Sequence, residues 1–255
     1  MKVLGIDVGG SGIKGAVVNI KTGKLVTDRI RYETPQPATP KAIANTIAKI
    51  SGEFTWNGSI GVGFPAVIKK NKALTATNIS NSWVGTDAVK VISRATGRPT
   101  IVLNDADAAA LAELKYGRRN LNSGMVIFIT VGTGLGTALL IDGHLVPNTE
   151  LGHLYLKKMG YSECYCSNEA RKRNHLTWKT WAGRFNTYLE YLDYLFHPDQ
   201  FVIGGGISKT PEQFVPYLKL KTPVRMASLK NEAGIIGAAW AAYERVKNKG
   251  RGKIR

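Results

Sequence analysis

Asp7-Val8-Gly9-Gly10-Ser11-Gly12-Ile13-Lys14-Gly15-Ala16-Val17-Val18 joins two apolar segments, Val3 to Val8 and Ile13 to Ile20, through a turn made almost wholly of glycine. β-Branched runs on both sides of a short Gly-Ser turn read as strand, hairpin, strand. Gly10 to Gly15 also satisfies the dinucleotide pattern G-x-G-x-x-G, but that pattern requires a helix to open at the turn and hold a pyrophosphate at its N-terminus. Here Ala16-Val17-Val18-Asn19-Ile20 follows, which is strand. A P-loop is excluded too, because Gly15 is followed by Ala16 and not by Lys. What remains is a hairpin whose Gly9, Gly10, Ser11 and Gly12 leave backbone N–H groups open to phosphate oxygens, with Lys14 just beyond it. Asp7, immediately before the turn, is placed to hold a divalent ion against the same phosphates. Taken alone, the hairpin has a second reading, a tight turn with Asp7 as its acceptor.

The layout recurs. Met125 to Val131 meets Gly132-Thr133-Gly134-Leu135-Gly136 and then Thr137 to Ile141, with Gly132 lying 123 residues after Gly9. Two such units separated by about half the chain predict two related α/β halves packed around a cleft. Between them, Pro40 to about Ser51 reads as a helix opening on proline, Ser59 to Phe64 as a buried strand, and Thr86 to Thr96 as a helix capped by Gly97. Thr100 to Leu103 reads as strand and Ala106 to Tyr116 as helix. From Trp178, apolar residues at Trp181, Phe185, Tyr188, Leu189, Leu192, Leu195 and Phe196 mark one face of a helix that ends at Pro198. Gln200 to Ile203 then enters the Gly204-Gly205-Gly206 turn, and a last helix is expected over 231–246. The expected division is a small lobe, 1–103, with helix 231–246 packing back on it, a large lobe, 104–230, and a fraying basic tail, 247–255.

Asn104-Asp105 lies where a strand ends and a helix begins, the position at which α/β folds bind ligands. An Asp before a helix is also an ordinary N-cap, so the pair alone leaves both roles open. Asp107, in the first helical turn, suits the helix dipole and is read as structural.

The ordered set Asp7-Val-Gly-Gly-Ser11 with Gly15, Asn104-Asp105, Gly132-Thr133-Gly134, Glu150-Leu-Gly-His153 and Gly204-Gly205-Gly206 resembles the ROK family of sugar kinases, and Gly61-Val-Gly-Phe-Pro65 with the Thr77-Asn78 stretch leading to Trp83-Val-Gly-Thr-Asp87 is similar to one subgroup of it. The resemblance runs from Val3 to about Tyr243. It implies an actin-like ATPase fold, related to ribonuclease H, and within the family it is nearest to the subgroup using inorganic polyphosphate as phosphoryl donor. By that resemblance Asp105 is the general base toward the 6-hydroxyl of glucose, and Asn104, Glu150 and His153 bind sugar hydroxyls. Gly63, Phe64 and Asn78 are further sugar contacts, and Glu163 or Glu169 is a possible additional one. Gly132, Thr133 and Gly134 form the second phosphate turn, and Gly205 belongs to the turn that lies beside adenosine in nucleotide-using relatives. Mg²⁺, polyphosphate or ATP as donor, glucose or mannose as acceptor, and a homodimer are also implied. Strict dependence on ATP and a non-catalytic sugar- or polyanion-binding protein are the alternatives. A sugar-responsive repressor, another ROK class, would need an N-terminal helix-turn-helix, and Met1 stands two residues before the first strand.

One departure from the family concerns zinc. Many ROK kinases use the His of E-x-G-H with three Cys of C-x-C-G-x-x-G-C, whereas this chain reads Cys164-Tyr-Cys166-Ser-Asn-Glu-Ala-Arg171. His153, Cys164 and Cys166 remain, a structural site needs four ligands, and only His175 offers a substitute. Zinc is therefore not favoured.

The 255 residues carry 35 Lys+Arg against 18 Asp+Glu, a formal net charge of +17. Such a balance points to a polyanionic partner. Seven basic residues, Lys157, Lys158, Arg171, Lys172, Arg173, Lys179 and Arg184, face two acidic ones over 157–184, a net +5. Lys69, Lys70 and Lys72 form a second group, and the tail from Arg245 holds six more basic residues. No aromatic interleaving of a recognised kind accompanies them, so nucleic acid is not the expected partner. Two cysteines exclude a disulfide framework, and no apolar run is long enough for a membrane span, so a cytoplasmic setting is expected.

Overall fold

The structure, a computed structural model, describes residues 1–118 and 120–251. The chain divides into two compact units, residues 1–116 together with the C-terminal segment from Glu232, and residues 117–231. The first boundary thus falls after the helix that follows Asn104, not at 103/104. The reason is packing: that helix, α3 (Asp105–Tyr116), lies against the C-terminal helix α7 (Ala233–Arg251) of the same unit.

In the first unit, β1 (Lys2–Val8) and β2 (Gly12–Asn19) form the antiparallel hairpin expected from the Gly-rich turn. β2 also pairs with the short β3 (Lys24–Leu25) and β4 (Ile30–Glu33), which the sequence reading did not single out. On the other side β1 runs parallel to β5 (Ile60–Phe64), and β5 parallel to β8 (Thr100–Asn104). A small hairpin, β6 (Ile68–Lys69) and β7 (Lys72–Ala73), follows β5. Helix α1 (Pro40–Glu53) starts on Pro40 with the Thr39 side chain accepting from the Ala42 amide, and α2 (Ala88–Thr96) ends at Gly97 in left-handed conformation, φ 66°. The core gathers Leu4, Ile6, Ile13, Ile43, Ile60, Val62, Phe64 and Trp83.

Helix α7 approaches the sheet and α3 at backbone distance. A side chain on Gly5 would lie 2.0 Å from Ile235 O, one on Gly61 1.8 Å from Ala238 O, and one on Gly237 1.7 Å from Ala108 O. The helix, expected to end near residue 246, continues through Arg251. No breaker lies between Gly237 and Gly250, and Lys247 reaches Glu244 one turn earlier at 3.9 Å. Residues 252–255 of the expected tail lie outside the described residues.

The second unit repeats the pattern: strand order β11-β10-β9-β14-β15 against β3-β2-β1-β5-β8 in the first. β9 (Met125–Val131) and β10 (Leu135–Ile141) make the hairpin, β10 pairs with β11 (His144–Val146), and β9 runs parallel to β14 (Gln200–Gly204), which runs parallel to β15 (Val224–Met226). A two-stranded ribbon, β12 (Tyr155–Leu156) and β13 (Gly160–Tyr161), precedes α4 (Ser162–Cys166) and α5 (Asn168–Arg173). Helix α6 (Trp178–Phe196) buries Trp181, Phe185, Tyr188, Leu189 and Leu192 completely, with Phe185, Leu189 and Leu192 each contributing about 1.5–3 kcal/mol through burial. Leu195, expected on that face, is 52% exposed because it falls in the last turn beyond the core.

Candidate active site

The first unit's site is assembled by strand register. Asp7 pairs with Gly63 across β1 and β5, Gly63 with Leu103 and Phe64 with Asn104 across β5 and β8, so these positions share the carboxyl end of three parallel strands. Asn104 Oδ1 accepts from the Ala106 and Asp107 amides at 2.9 and 3.1 Å, and its Nδ2 donates to Ala66 O at 3.3 Å. Asn104 is therefore the N-cap of α3. Asp105, half-buried, begins the helix, and its Oδ1 accepts from the Ala106 amide at 2.8 Å. Gly63 keeps this corner open: a side chain there would sit 3.6 Å from Asp105 Cα.

Asp7 meets Lys14, its cross-strand neighbour, at 3.5 Å. Burial raises the proton affinity of the Asp7 carboxyl, with Lys14 and Arg29 pulling it back. The turn itself closes by Gly9 N–H donating to Gly12 O at 3.0 Å. None of Gly9, Gly10 and Gly12 has positive φ, so the glycines serve space and not a left-handed backbone. At Gly12 the space is filled by Arg31, whose Nη2 donates to Ser11 O at 3.0 Å, and a side chain on Gly12 would sit 2.7 Å from Arg31 Nε. Thr34 Oγ1 donates to Gly9 O at 2.5 Å. Asn78 is exposed and flanks Gly10, its Cβ 3.5 Å from where a Gly10 side chain would begin. The Phe64 side chain, expected as a sugar contact, is wholly buried and packs edge-on against Trp83, with ring centroids 4.6 Å apart. It is core, because β5 is buried along its whole length.

In the second unit, Glu150 Oε2 meets His153 Nδ1 at 3.1 Å across a turn of 3₁₀ helix, Leu151–His153. Burial raises the Glu150 proton affinity, His153 lowers it and Glu163 raises it again. The loop is fixed by Thr137, whose hydroxyl accepts from the Leu151 amide at 2.9 Å and donates to Thr149 O at 2.6 Å. Ser162 Oγ donates to Gly152 O at 2.7 Å. Its neighbour Glu163 reaches the Gly-rich turn, where Oε2 accepts from the Leu135 amide at 3.1 Å and a side chain on Gly134 would begin 2.1 Å from the same oxygen. Gly132 N–H donates to Gly134 O at 3.0 Å, and Thr133 is exposed at the tip. Glu169 is exposed, with its amide on Gly132 O at 3.3 Å. Gly205 has φ 76° and lies against Val131, where a side chain would come within 2.7 Å of backbone atoms. Both demands require glycine.

Arg31 and the Glu163–Leu135 contact were not legible as site features. Arg31 is 20 residues from the turn it braces. Only the alternation of β4, Ile30-Arg31-Tyr32-Glu33, carries a signal for it.

Cys164 is exposed and Cys166 buried, both as free thiols. Cys166 Sγ donates to Ser162 O at 3.2 Å, and burial pushes the thiol far above its usual range. Among the described residues no group of three or more His, Cys, Asp or Glu is arranged to hold a metal ion. No helix is long and apolar enough to cross a membrane among the same residues. In the basic segment, Arg171 stacks over Trp178 at 4.0 Å and Arg184 over Tyr165 at 4.9 Å. Arg173 donates to Cys164 O at 3.1 Å. None of the seven basic residues between 157 and 184 forms an ion pair with a carboxylate among the described residues.

Comparison with known proteins gives concordant findings. The chain is 45% identical over 239 residues to a polyphosphate glucokinase of Mycobacterium tuberculosis (strain ATCC 25177 / H37Ra), covering 93% of this chain and 90% of that one. Among solved structures it is similar to an inorganic polyphosphate/ATP-glucomannokinase from Arthrobacter sp. strain KM, with TM-score 0.92, 42% identity, and 96% and 99% of the two chains covered. A ROK family glucokinase from Streptomyces griseus shares the fold at TM-score 0.81 and 23% identity, with 96% and 100% covered. The sequence profile described as "ROK family" matches residues 3–171, and the chain belongs to the ROK family.

Proposed function

We propose that this protein transfers the terminal phosphoryl group of inorganic polyphosphate to the 6-hydroxyl of glucose, with ATP as a second donor and mannose as a second acceptor. The observation that carries the reading is 45% identity to a polyphosphate glucokinase across nine-tenths of both chains. The Arthrobacter polyphosphate/ATP-glucomannokinase supports the breadth of donor and acceptor.

In this reading Asp105 takes the proton of the 6-hydroxyl as that oxygen attacks the terminal phosphorus. The bond to the rest of the chain breaks, leaving glucose 6-phosphate and a polyphosphate one unit shorter. Asn104, a neutral amide, is no base, and its side chain caps α3 and donates to Ala66 O. Glu150, held by His153, accepts from sugar hydroxyls, and Gly63 leaves room beside Asp105. The Gly9 and Gly132 amides close their own turns, so the remaining backbone amides of the turns at Gly10–Gly12 and Thr133–Gly134, with the Lys14 ammonium, bind phosphate oxygens. Asp7 fits a Mg²⁺ ion, which keeps several waters and needs one or two carboxylates besides phosphate oxygens. When bound, the ion neutralises charge on the transferring group. The unpaired basic residues between 157 and 184 hold the distal phosphates through counterion release. A homodimer, as the resemblance implies, and a cytoplasmic setting complete the reading.

The test is a coupled assay for glucose 6-phosphate with polyphosphate or ATP as donor. Turnover with glucose and polyphosphate is expected. Turnover with ATP alone removes polyphosphate from the reading, and turnover with neither donor overturns it.

A further inference from the structure

The β6–β7 hairpin carries three lysines that the reading above leaves without a role. Ile68 pairs with Ala73 and Lys69 with Lys72, so the loop has only two residues, Lys70 and Asn71. Both have positive φ, 50° and 68°, the type I′ geometry of the tightest hairpins. Asn tolerates that backbone, but Lys is disfavoured there, and glycine would take its place without strain. A cation is thus held at the tip against local conformational preference. Strain of this sort gathers where function requires it.

Lys69, Lys70 and Lys72 are all exposed, and none forms an ion pair with a carboxylate among the described residues. Asp87 is bridged to Lys72 through the backbone, and its carboxylate already accepts from the Lys90 amide at 2.8 Å. The hairpin is also fixed at its base. Asn71 O accepts from Ala88 N at 2.9 Å, Ala73 O from Gly85 N at 2.8 Å, and Thr75 Oγ1 from Val67 N at 3.0 Å. A rigid base presents the three ammonium groups at lower entropic cost than lysines on a mobile loop.

Its location gives the patch a direction. The hairpin leaves the sheet at the strand end that carries Gly63 and Phe64, and Ala66 O at its root accepts from Asn104 Nδ2. On its other side, the chain from Lys72 reaches Asn78 beside Gly10 in six residues, at most about 20 Å. The geometry points to a second polyanion site: the hairpin of Lys69, Lys70 and Lys72 binds a stretch of the phosphate chain remote from the group being transferred. Long polyphosphate engages it and short donors do not. This rests on the proposed function for the identity of the donor.

The test replaces Lys69, Lys70 and Lys72 together by Gln and compares long-chain polyphosphate, tripolyphosphate and ATP. The KM for long-chain polyphosphate is expected to rise about tenfold, and the slope of log KM against log salt to flatten by about 2, near 0.7 per lost contact. The KM for glucose, tripolyphosphate and ATP should stay within about twofold. Lys70→Gly relieves the backbone, so it should melt at or above the wild-type temperature and still weaken binding of the long chain. An unchanged KM for the long chain overturns the site, as does an equal rise for all three donors. Direct binding of long polyphosphate, measured without glucose, separates the two proposals. If the triple variant binds the chain about tenfold more weakly than the wild type, the site stands even where polyphosphate supports no turnover. If both bind alike, the site is overturned whatever the turnover.

Discussion

Asn104 and Asp105 are adjacent, and substitution separates their duties. Asp105→Asn keeps an oxygen for the Ala106 amide and leaves the Asn104 cap intact, so its melting temperature should stay within about 2 °C of wild type. As general base it should lose about 10³-fold in kcat; a variant retaining a tenth of the activity would remove that assignment. Asn104→Ala deletes the cap and should cost about 1 kcal/mol, lowering the melting temperature by about 2–4 °C. Asp7 is the third informative residue. Burial raises its proton affinity above the ordinary value of 3.8, so above that pH the ionised carboxylate costs the fold stability, and the cost vanishes as pH falls through the folded value. Asp7→Asn should therefore melt at or above the wild-type temperature at pH 7, while kcat with any donor falls about a hundredfold or more. Calorimetry beside the coupled assay reads both, and a variant that is both less stable and fully active would contradict the assignment twice.

At the scale of elements, two glycines make opposite predictions. Gly237→Ala puts a methyl group 1.7 Å from Ala108 O, where both partners are helix backbone, so α7 and α3 must separate. A loss of about 3 kcal/mol is expected by denaturant unfolding. Gly134→Ala meets only the end of a flexible side chain, Glu163 Oε2 at 2.1 Å, so the fold should survive. The displaced carboxylate then releases the Leu135 amide, whose hydrogen exchange should quicken while the donor KM rises. If Glu163 transmits the effect, Glu163→Ala and the double variant should match Gly134→Ala, not add to it. These elements also mark how far the sequence could be read. Both Gly-rich hairpins, the Gly97 cap and the Asn104-Asp105 junction are local patterns, and each formed within a residue or two of its expected place. Contacts between distant segments were not legible: Arg31 on Ser11, Glu163 on Leu135, or α7 and α3 in one unit. A strand-end aromatic beside glycines, as Phe64 is, has the same local sequence whether its side chain faces a ligand or the core. Only the packing of Trp83, nineteen residues later, decides it.

For the whole molecule the dominant quantity is charge. Of 35 Lys and Arg, only Lys14 and Lys247 among the described residues stand within 4.0 Å of a carboxylate oxygen. Lys and Arg exceed Asp and Glu by 17, so even complete pairing would leave 17 positive charges without an ionic partner. Two consequences of opposite sign follow. Mutual repulsion among these groups opposes compaction, and salt screens it over a Debye length of about 10 Å at 0.1 M, so added salt should raise the melting temperature. The same salt competes for the cations that bind a phosphate chain, and between 50 and 200 mM an interface of several phosphate contacts should weaken at least about tenfold. Glucose is uncharged, and its KM should hold within about twofold across that range. Scanning calorimetry and steady-state kinetics on one salt series therefore test whether the charge serves a substrate. A melting temperature that climbs while the polyphosphate KM climbs with it places the excess charge in donor binding. A rising melting temperature with a flat polyphosphate KM leaves the charge as a property of the surface alone and removes the basic residues between 157 and 184 from the proposed donor site.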